Sequence, residues 1–444
     1  MSLKFNLKNG YELINIFFLS IPVVFFLPVN ISNIFCILYL TIVLYFFKKN
    51  NLKIKIDILD KIFFLFFFII IVSSLKETSS YNLTKENLVF DIISKISLVR
   101  FFLIYLLTKN ILQYNLVEIK SFLKVSAFCT IFISINIILL HIIGFDLFGN
   151  KPMGYRLSTI FGERMIAGTY LLNFFFFGLI YFYYYKKNNL IKYFFIFLIG
   201  LSIFLSSDRS PLILFLIFYF FLCLLNFIKD YKFTIIMISL LLIFFVLFLK
   251  NEKFKNLYES IFFEEMSIIT EPLINKTIKN SNASYYGYLQ VYKDSVNTIF
   301  FEKTLIGSGK SSFKTRCRDY RIRNNPKSVE YGYAYACPNH THNLYLEILI
   351  AGGLLGAMVF IVAIIIKFFL LTKNMLLQKP SYYTLNSILI LSFLIEIFPF
   401  RPYGAIFNSY NGLFFFFKVS IIYGIIINQT LKCNKYLQTN NVLN

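Results

Sequence analysis

Apolar residues in this chain come in runs of about 16 to 25, one after another from residue 12 to residue 428. That run length limits the fold more than any other feature. A helix rises about 1.5 Å per residue and a bilayer core is about 30 Å thick, so each run has the reach of a membrane crossing. Composition agrees, with 58% hydrophobic and 15% charged residues, where a soluble chain holds about half and a quarter. A soluble enzyme, a disordered chain and a secreted disulfide scaffold are excluded. The expectation is an all-α polytopic membrane protein.

Twelve segments can be marked, near 12–28, 32–47, 60–75, 92–108, 122–143, 165–185, 190–206, 210–228, 233–249, 343–371, 383–400 and 409–428. The first follows Lys4 and Lys8 with no small-residue cleavage site after it, and reads as an uncleaved anchor. The net charge of +22 would suggest nucleic acid in a soluble chain. Here no aromatic-interleaved basic patch occurs, and most Lys sit in short loops, including Lys48, Lys49, Lys109, Lys120, Lys192, Lys367 and Lys373. With the N-terminus inside, those loops are cytoplasmic and the positive-inside rule holds. Phe runs such as Phe174–Phe177 read as lipid-facing filler, and Tyr as the interfacial belt of a chain with no Trp.

Residues 250–342 stand apart: mostly polar, external, and too long for a connector, with 14 Lys or Arg against 9 Asp or Glu. This divides the chain into membrane helices over 1–249, a large periplasmic loop over 250–342, and helices with a cytoplasmic tail over 343–444. The loop's positive charge fits either ordinary surface charge or an anionic ligand. Cys317 and Cys337 both lie in it, facing an oxidising compartment, and are expected to pair.

Charged residues within membrane spans default to functional candidates. Arg100 lies in the fourth segment; Arg156, Glu163 and Arg164 precede the sixth; Asp208 and Arg209 form the turn after the seventh; His342 opens the tenth; Glu396 and Arg401 close the eleventh. All are expected at the outer level, with no comparable set on the inner half. Singly, each could snorkel or form a structural pair. Together they suggest an outward-facing, Arg-lined chamber for a phosphorylated lipid, since guanidinium matches phosphate bidentately and keeps its charge.

Gly307-Ser308-Gly309-Lys310-Ser311 lacks the earlier Gly of a phosphate-binding loop, that position being Thr304. Three His and no Cys-x-x-Cys argue against a zinc site, and no cofactor or metal is expected. The informative stretch is His340-Thr341-His342-Asn343, then nine residues, then Gly353-Leu354-Leu355-Gly356. His342 at the start of a helix, near its positive end and near Arg, would stay neutral and could take a proton from a sugar hydroxyl. Gly352, Gly353 and Gly356 would let helices pack closely beneath it.

These residues resemble the O-antigen ligase and polymerase family of bacterial inner-membrane glycosyltransferases. The resemblance rests on His342-Asn343-x9-Gly353-x2-Gly356, the preceding Leu305-Ile306-Gly307-Ser308-Gly309, and the turn Ser207-Asp208-Arg209-Ser210. Arg156-Leu157-Ser158, Phe161-Gly162-Glu163 and Pro399-Phe400-Arg401-Pro402-Tyr403-Gly404 add to it. It implies a GT-C-like fold of about twelve transmembrane helices and an inverting, metal-independent transfer at the periplasmic face of the inner membrane. The donor would be a glycan on undecaprenyl pyrophosphate. The acceptor would be lipid A–core for a ligase, or a lipid-linked repeat unit for a polymerase. By match, His342 would be the general base and Arg209 a clamp on the pyrophosphate, with Arg164, Arg156 and Arg100 as further pyrophosphate candidates. His340, Asn343, Glu163, Glu396, Arg401, Gly353 and Gly356 would support the site. The family's second pyrophosphate Arg has no counterpart between 277 and 315, where Lys293, or nearby Lys310, Arg316 or Arg318, would have to serve. A lipid or anion transporter and a non-catalytic assembly component are the competing readings.

Overall fold

The computed structural model describes residues 7–78, 85–152, 156–164, 166–185, 189–227, 288–302, 305–324, 337–377, 383–402 and 404–441, with a few isolated positions between 235 and 246. The expected segment 233–249, the loop stretch 250–287 and Tyr403 otherwise lie outside the described residues. Helices run in chain order as α1 (Leu7–Val24), α2 (Val29–Lys49), α3 (Ile58–Thr78), α4 (Lys85–Ile96), α5 (Val99–Gln113), α6 (Ile119–Ile143) and α7 (Ala167–Tyr185). Then come α8 (Asn189–Leu205), α9 (Arg209–Phe227), α10 (Tyr288–Glu302), α11 (Phe313–Asn324), α12 (Leu344–Leu377), α13 (Tyr383–Glu396) and α14 (Ser409–Asn441). The chain is an all-α polytopic membrane protein. Among the described residues five helices are long and apolar enough to cross a membrane: Val29–Lys49, Ile58–Lys76, Ile119–Ile143, Leu344–Lys373 and Tyr410–Asn428. Shorter apolar helices cover Gly10–Val24, Asn189–Leu205, Arg209–Leu224 and Leu385–Glu396.

Which faces meet lipid is written in the exposed apolar residues. On α12, Leu354, Met358, Ile361, Ile365 and Phe369 recur every three or four residues along one face, each 44–62% exposed. Only hydrocarbon can cover such a stripe without cost. By contrast α7 is buried nearly all round, and Phe174, Phe175, Phe176 and Phe177 are core residues. This corrects their reading as lipid-facing filler. Phe175 stacks on Phe195 and meets Phe215 and Phe218 edge-on, so the aromatic run binds α7 to α8 and α9. Tyr39, Tyr105 and Tyr170 are likewise buried rather than interfacial.

We call the side bearing residues 305–324 and 337–343 the loop face and the opposite side the tail face. The expected fourth span is broken: α4 ends at Ile96, and α5 begins at Val99 after a turn at Ser97 and Leu98. Arg100 therefore stands in the first turn of α5 rather than deep within a continuous span. The break follows from polarity, because α4 carries Asp91 and Lys95 and cannot lie within hydrocarbon.

The inner half is not free of charge, contrary to expectation. Lys109 and Lys367, assigned to loops by their sequence position, are fully buried within α5 and α12. Lys109 pairs with Asp60, also fully buried, and with Asp57 at 3.0 Å. Tyr423 donates to Asp57 at 3.3 Å, and Lys367 donates to the Val419 carbonyl at 2.8 Å. Two carboxylates and two ammonium groups thus tie α3, α5, α12 and α14 together near the tail face.

Candidate functional site

On the loop face a cavity of about 530 Å³ opens between α7, α9, α14 and the 397–408 turn. Its polar wall includes Arg156, Thr169, Asn173, Asp208, Arg209, Arg401 and Tyr410, and its apolar wall Ile213, Leu214, Phe398, Phe400 and Phe414. Phe400 is 76% exposed and Ile213 54%. A cavity with cations on one wall and exposed apolar groups on the other suits an amphiphile with an anionic end.

The α8–α9 turn sets the cationic wall. Ser207 takes φ 60, turning the chain sharply, and Leu157 N–H donates to the Ser206 carbonyl at 3.4 Å, which seats the segment carrying Arg156 beside the turn. Asp208 lines the cavity but is engaged by the protein: its Oδ2 accepts from Gly168 N–H at 2.8 Å and caps the start of α7. Burial pushes its carboxyl up to about 6, against the Gly168 hydrogen bond and the charge of Arg156. A Cβ on Gly168 would lie under 3 Å from Asp208 and Ser206 atoms, so this close seat requires glycine. With Asp208 engaged, Arg209 opens α9 into the cavity, and its Nε is buried without a hydrogen-bond partner among the described residues. A buried donor left open costs about 1–3 kcal/mol unless something binds there.

Arg401 forms the far wall. It pairs with fully buried Glu396 at 3.0 Å, and Glu396 also accepts from Lys418 at 2.7 Å. Lys418 in turn donates to Asn173 Oδ1 at 3.1 Å. Lys418 and Asn173 were missed in the sequence. The signal for the first was a lone Lys after the run Phe414–Phe417.

His342 lies just ahead of α12 with φ 54. It is not the helix cap: Asn343 fills that role, its Oδ1 accepting from Tyr345 N–H at 2.9 Å and Leu346 N–H at 3.2 Å. Asn343 Nδ2 donates to the Pro399 carbonyl at 2.6 Å, and Asn343 forms an antiparallel bridge with Pro402. Tyr345 donates to the Ile397 carbonyl at 2.6 Å. These contacts hold the His342 turn against the segment supplying Arg401 and Pro402 to the cavity, although His342 does not itself line it. Burial, then the neighbouring His340 ring at 4.0 Å, pushes His342 down to about 4. The imidazole is neutral at neutral pH, through burial and a second His rather than through the helix end and Arg.

Of the signature glycines, Gly353 does something other than pack helices. At Gly353, with φ 65 and ψ −164, α12 breaks. The freed carbonyls of Ile350 and Ala351 accept from Ser308 N–H at 2.8 Å and Gly309 N–H at 2.9 Å. Leu355 N–H donates to the Leu305 carbonyl at 3.1 Å. The Gly-rich turn thus replaces the hydrogen bonds the broken helix lost, as broken helices at membrane depth require. A Cβ on Gly307 or Gly353 would come within 3 Å of backbone in the other segment. Gly352 and Gly356 do face Ile70 and Ile69 on α3.

The remaining candidates lie elsewhere. Arg164 donates to the carbonyls of Leu27 at 2.9 Å and Phe26 at 3.0 Å, fixing the α1–α2 turn rather than lining the cavity. Arg100 packs over the Phe101 ring, also away from it. Glu163 belongs to the short 3-10 turn Thr159–Arg164, and its side chain lies outside the described residues. Cys317 and Cys337 are joined by a disulfide, Cα to Cα 6.1 Å. Cys317 lies on α11, where Arg321 pairs with Asp294 of α10 at 2.6 Å.

Residues 194–361 match the family model described as O-antigen ligase. The chain carries an O-antigen ligase family domain. The match starts within α8 and ends within α12, so it takes in the Asp208–Arg209 turn, the Gly-rich turn, His342 and the broken helix. Arg156 and Arg401, which complete the cavity, fall outside it. No curated protein matches the chain.

Proposed function

We propose that this O-antigen ligase-like membrane protein transfers a glycan from undecaprenyl pyrophosphate to a sugar hydroxyl of lipid A–core, with the loop face in the periplasm and the chain in the bacterial inner membrane. Arg209 carries this reading: a guanidinium with a buried, open donor, facing a cavity whose other wall is apolar. The pyrophosphate lies against Arg209 and Arg156, with Arg401 across the cavity, and the prenyl chain leaves past Phe400 and Ile213.

Neutral His342 takes the proton of the acceptor hydroxyl as its oxygen attacks the anomeric carbon. The bond from that carbon to the pyrophosphate oxygen breaks, and its electron pair leaves on the phosphate. One displacement inverts the anomeric centre. Fixed guanidinium groups meet the charge as it develops on the leaving group, which supports a reaction without a metal. Asn343, through Pro399 and Pro402, holds the base beside the site.

The test is a deletion strain, resolving lipopolysaccharide on a gel beside the undecaprenyl-linked glycan pool. Core free of O-units, with long glycan accumulating on the carrier, is the expected result. Core bearing a single unit would reassign the chain as a polymerase, and two unchanged pools would remove glycan transfer altogether.

A further inference from the structure

We propose that α10 and the Gly-rich turn form a re-entrant limb that dips into the lipid leaflet at the loop face, where its partner is acyl chain rather than water. α10 is built inside out. Its protein-facing side holds buried Val291, Asp294, Ser295 and Thr298. The polar groups there are spent within the protein: Asp294 pairs with Arg321, and the Ser295 and Thr298 hydroxyls donate to the carbonyls of Val291 and Asp294 at 2.7 and 2.6 Å. The side turned away carries Val296 and Phe300, one helical turn apart and 38% and 72% exposed. Leu305 and Ile306 continue it, 59% and 36% exposed. A helix in water turns its apolar face in and its polar face out, and α10 does the reverse.

The depth of the limb follows from α12. The Leu305 carbonyl accepts from Leu355 N–H at 3.1 Å. Leu355 lies about 15 Å along α12 from its start at Leu344, at 1.5 Å per residue. Leu354 and Met358 open the lipid-facing stripe at that level, so exposed Leu305 and Ile306 prolong a surface that hydrocarbon already covers. The ends of the limb are polar where it must leave the leaflet. Lys293 is exposed near the start of α10, and α11 carries Lys314, Arg316, Arg318 and Arg323, which hydrocarbon would not accept.

Irregular backbone tolerates this depth only when protein satisfies its polar groups. The turn meets that condition. Ser308 and Gly309 N–H donate to the carbonyls of Ile350 and Ala351, and Lys310 N–H to Ser74 Oγ on α3 at 2.9 Å. The Ser73 hydroxyl is shared between the carbonyls of Gly307 at 2.5 Å and Ala351 at 2.6 Å. A turn open to water would need none of these partners. The limb also reaches the candidate base, since the Tyr292 hydroxyl on α10 donates to the His342 carbonyl at 3.3 Å. Lipid against Phe300 and Leu305 would thereby set the level of the His342 turn relative to the membrane.

The chain has no Trp, so a single introduced Trp reports only its own surroundings. Full-length Phe300→Trp and Leu305→Trp are placed in phosphatidylcholine nanodiscs with and without bromine on the acyl chains. Met358→Trp on the lipid stripe and Asn324→Trp at the exposed end of α11 are the references. Bromine is expected to quench Phe300→Trp and Leu305→Trp as strongly as Met358→Trp and to leave Asn324→Trp bright, while aqueous iodide does the reverse. Quenching of the first two by iodide and not by bromine would put the limb in water and overturn the proposal. Quenching by neither would mean that protein covers it, a second copy or another part of the chain, and overturns it as well. A photoactivatable acyl-chain probe on the wild-type chain repeats the reading without substitution, and is expected to label the peptide carrying Phe300 and Leu305. No turnover is read, so failure here leaves the transfer reading untouched.

Discussion

Replacing Gly307 by Ala tests the docking of the Gly-rich turn into the break of α12. The new Cβ would fall within 3 Å of backbone atoms of Ile350, Ala351 and Gly353, none of which can rotate aside as a side chain would. The turn must back out. Three backbone hydrogen bonds go with it: Ser308 to Ile350, Gly309 to Ala351 and Leu355 to Leu305. At about 1 kcal/mol net each, the docked state loses about 3 kcal/mol. Each factor of ten in an equilibrium is about 1.4 kcal/mol, so opening becomes about 100-fold more frequent. Hydrogen exchange in detergent reads this directly, with the amides of Ser308, Gly309 and Leu355 expected to exchange about 100-fold faster. Gly356→Ala is the control within the same signature. Its Cβ would meet only Ile69 and Ile70 side chains, at 3.6 and 3.7 Å, which is ordinary contact. If Gly307→Ala exchanged at the wild-type rate, or Gly356→Ala matched it, the docking account would be refuted.

Four further outcomes are expected. Arg209→Ala lowers transfer by about 10²–10³-fold in a membrane assay with lipid-linked glycan, as for loss of one preorganised donor to a developing anion; unchanged turnover would take Arg209 out of the site. Because His342 is held near 4, transfer stays level from pH 8 to pH 5 and declines only towards pH 4, whereas half-activity near the ordinary His value of 6.5 would contradict a depressed base. The sign for stability follows: between 6.5 and about 4 the unfolded chain takes up a proton at this His that the folded chain does not. That contribution is therefore lost as pH falls through this window, and His342→Gln should flatten the melting temperature there. Glu396→Ala leaves Arg401 and Lys418 buried without their carboxylate and should cost about 3–5 kcal/mol in denaturant unfolding. A loss under 1 kcal/mol would mean the two cations find other partners.

Much of the fold was legible because hydrophobic run length reports directly on membrane crossing, and the expected segments other than 233–249 fall largely on helices, the fourth divided between α4 and α5. Burial within the bundle was less so. A helix apolar on every side, such as α7, has no marked face, so nothing in Phe174–Phe177 separates core from lipid. Lys109 and Lys367 follow the pattern of loop anchors, and their partners Asp57, Asp60 and the Val419 carbonyl come from other segments. Arg164 looked like a phosphate ligand because its acceptors, the Phe26 and Leu27 carbonyls, lie more than 100 residues earlier. Arg209 was legible from its place in a tight turn between two apolar runs. The role of Gly353 was not, since a break in α12 makes sense only with residues 305–309 docked into it.

The charges near the tail face decide the direction of traffic. Lys109, Asp60 and Lys367 lie fully buried where α3, α5, α12 and α14 meet, and any solute crossing there would have to part ion pairs in a low-dielectric interior. At that junction the bundle is a blind alley. A carrier needs its two gates to take turns, and among the described residues these buried pairs lock four helices together at one end. Under the proposed transfer, what enters the loop-face cavity leaves by the same mouth or slips sideways into the leaflet. That is how a workbench behaves, and a corridor does not.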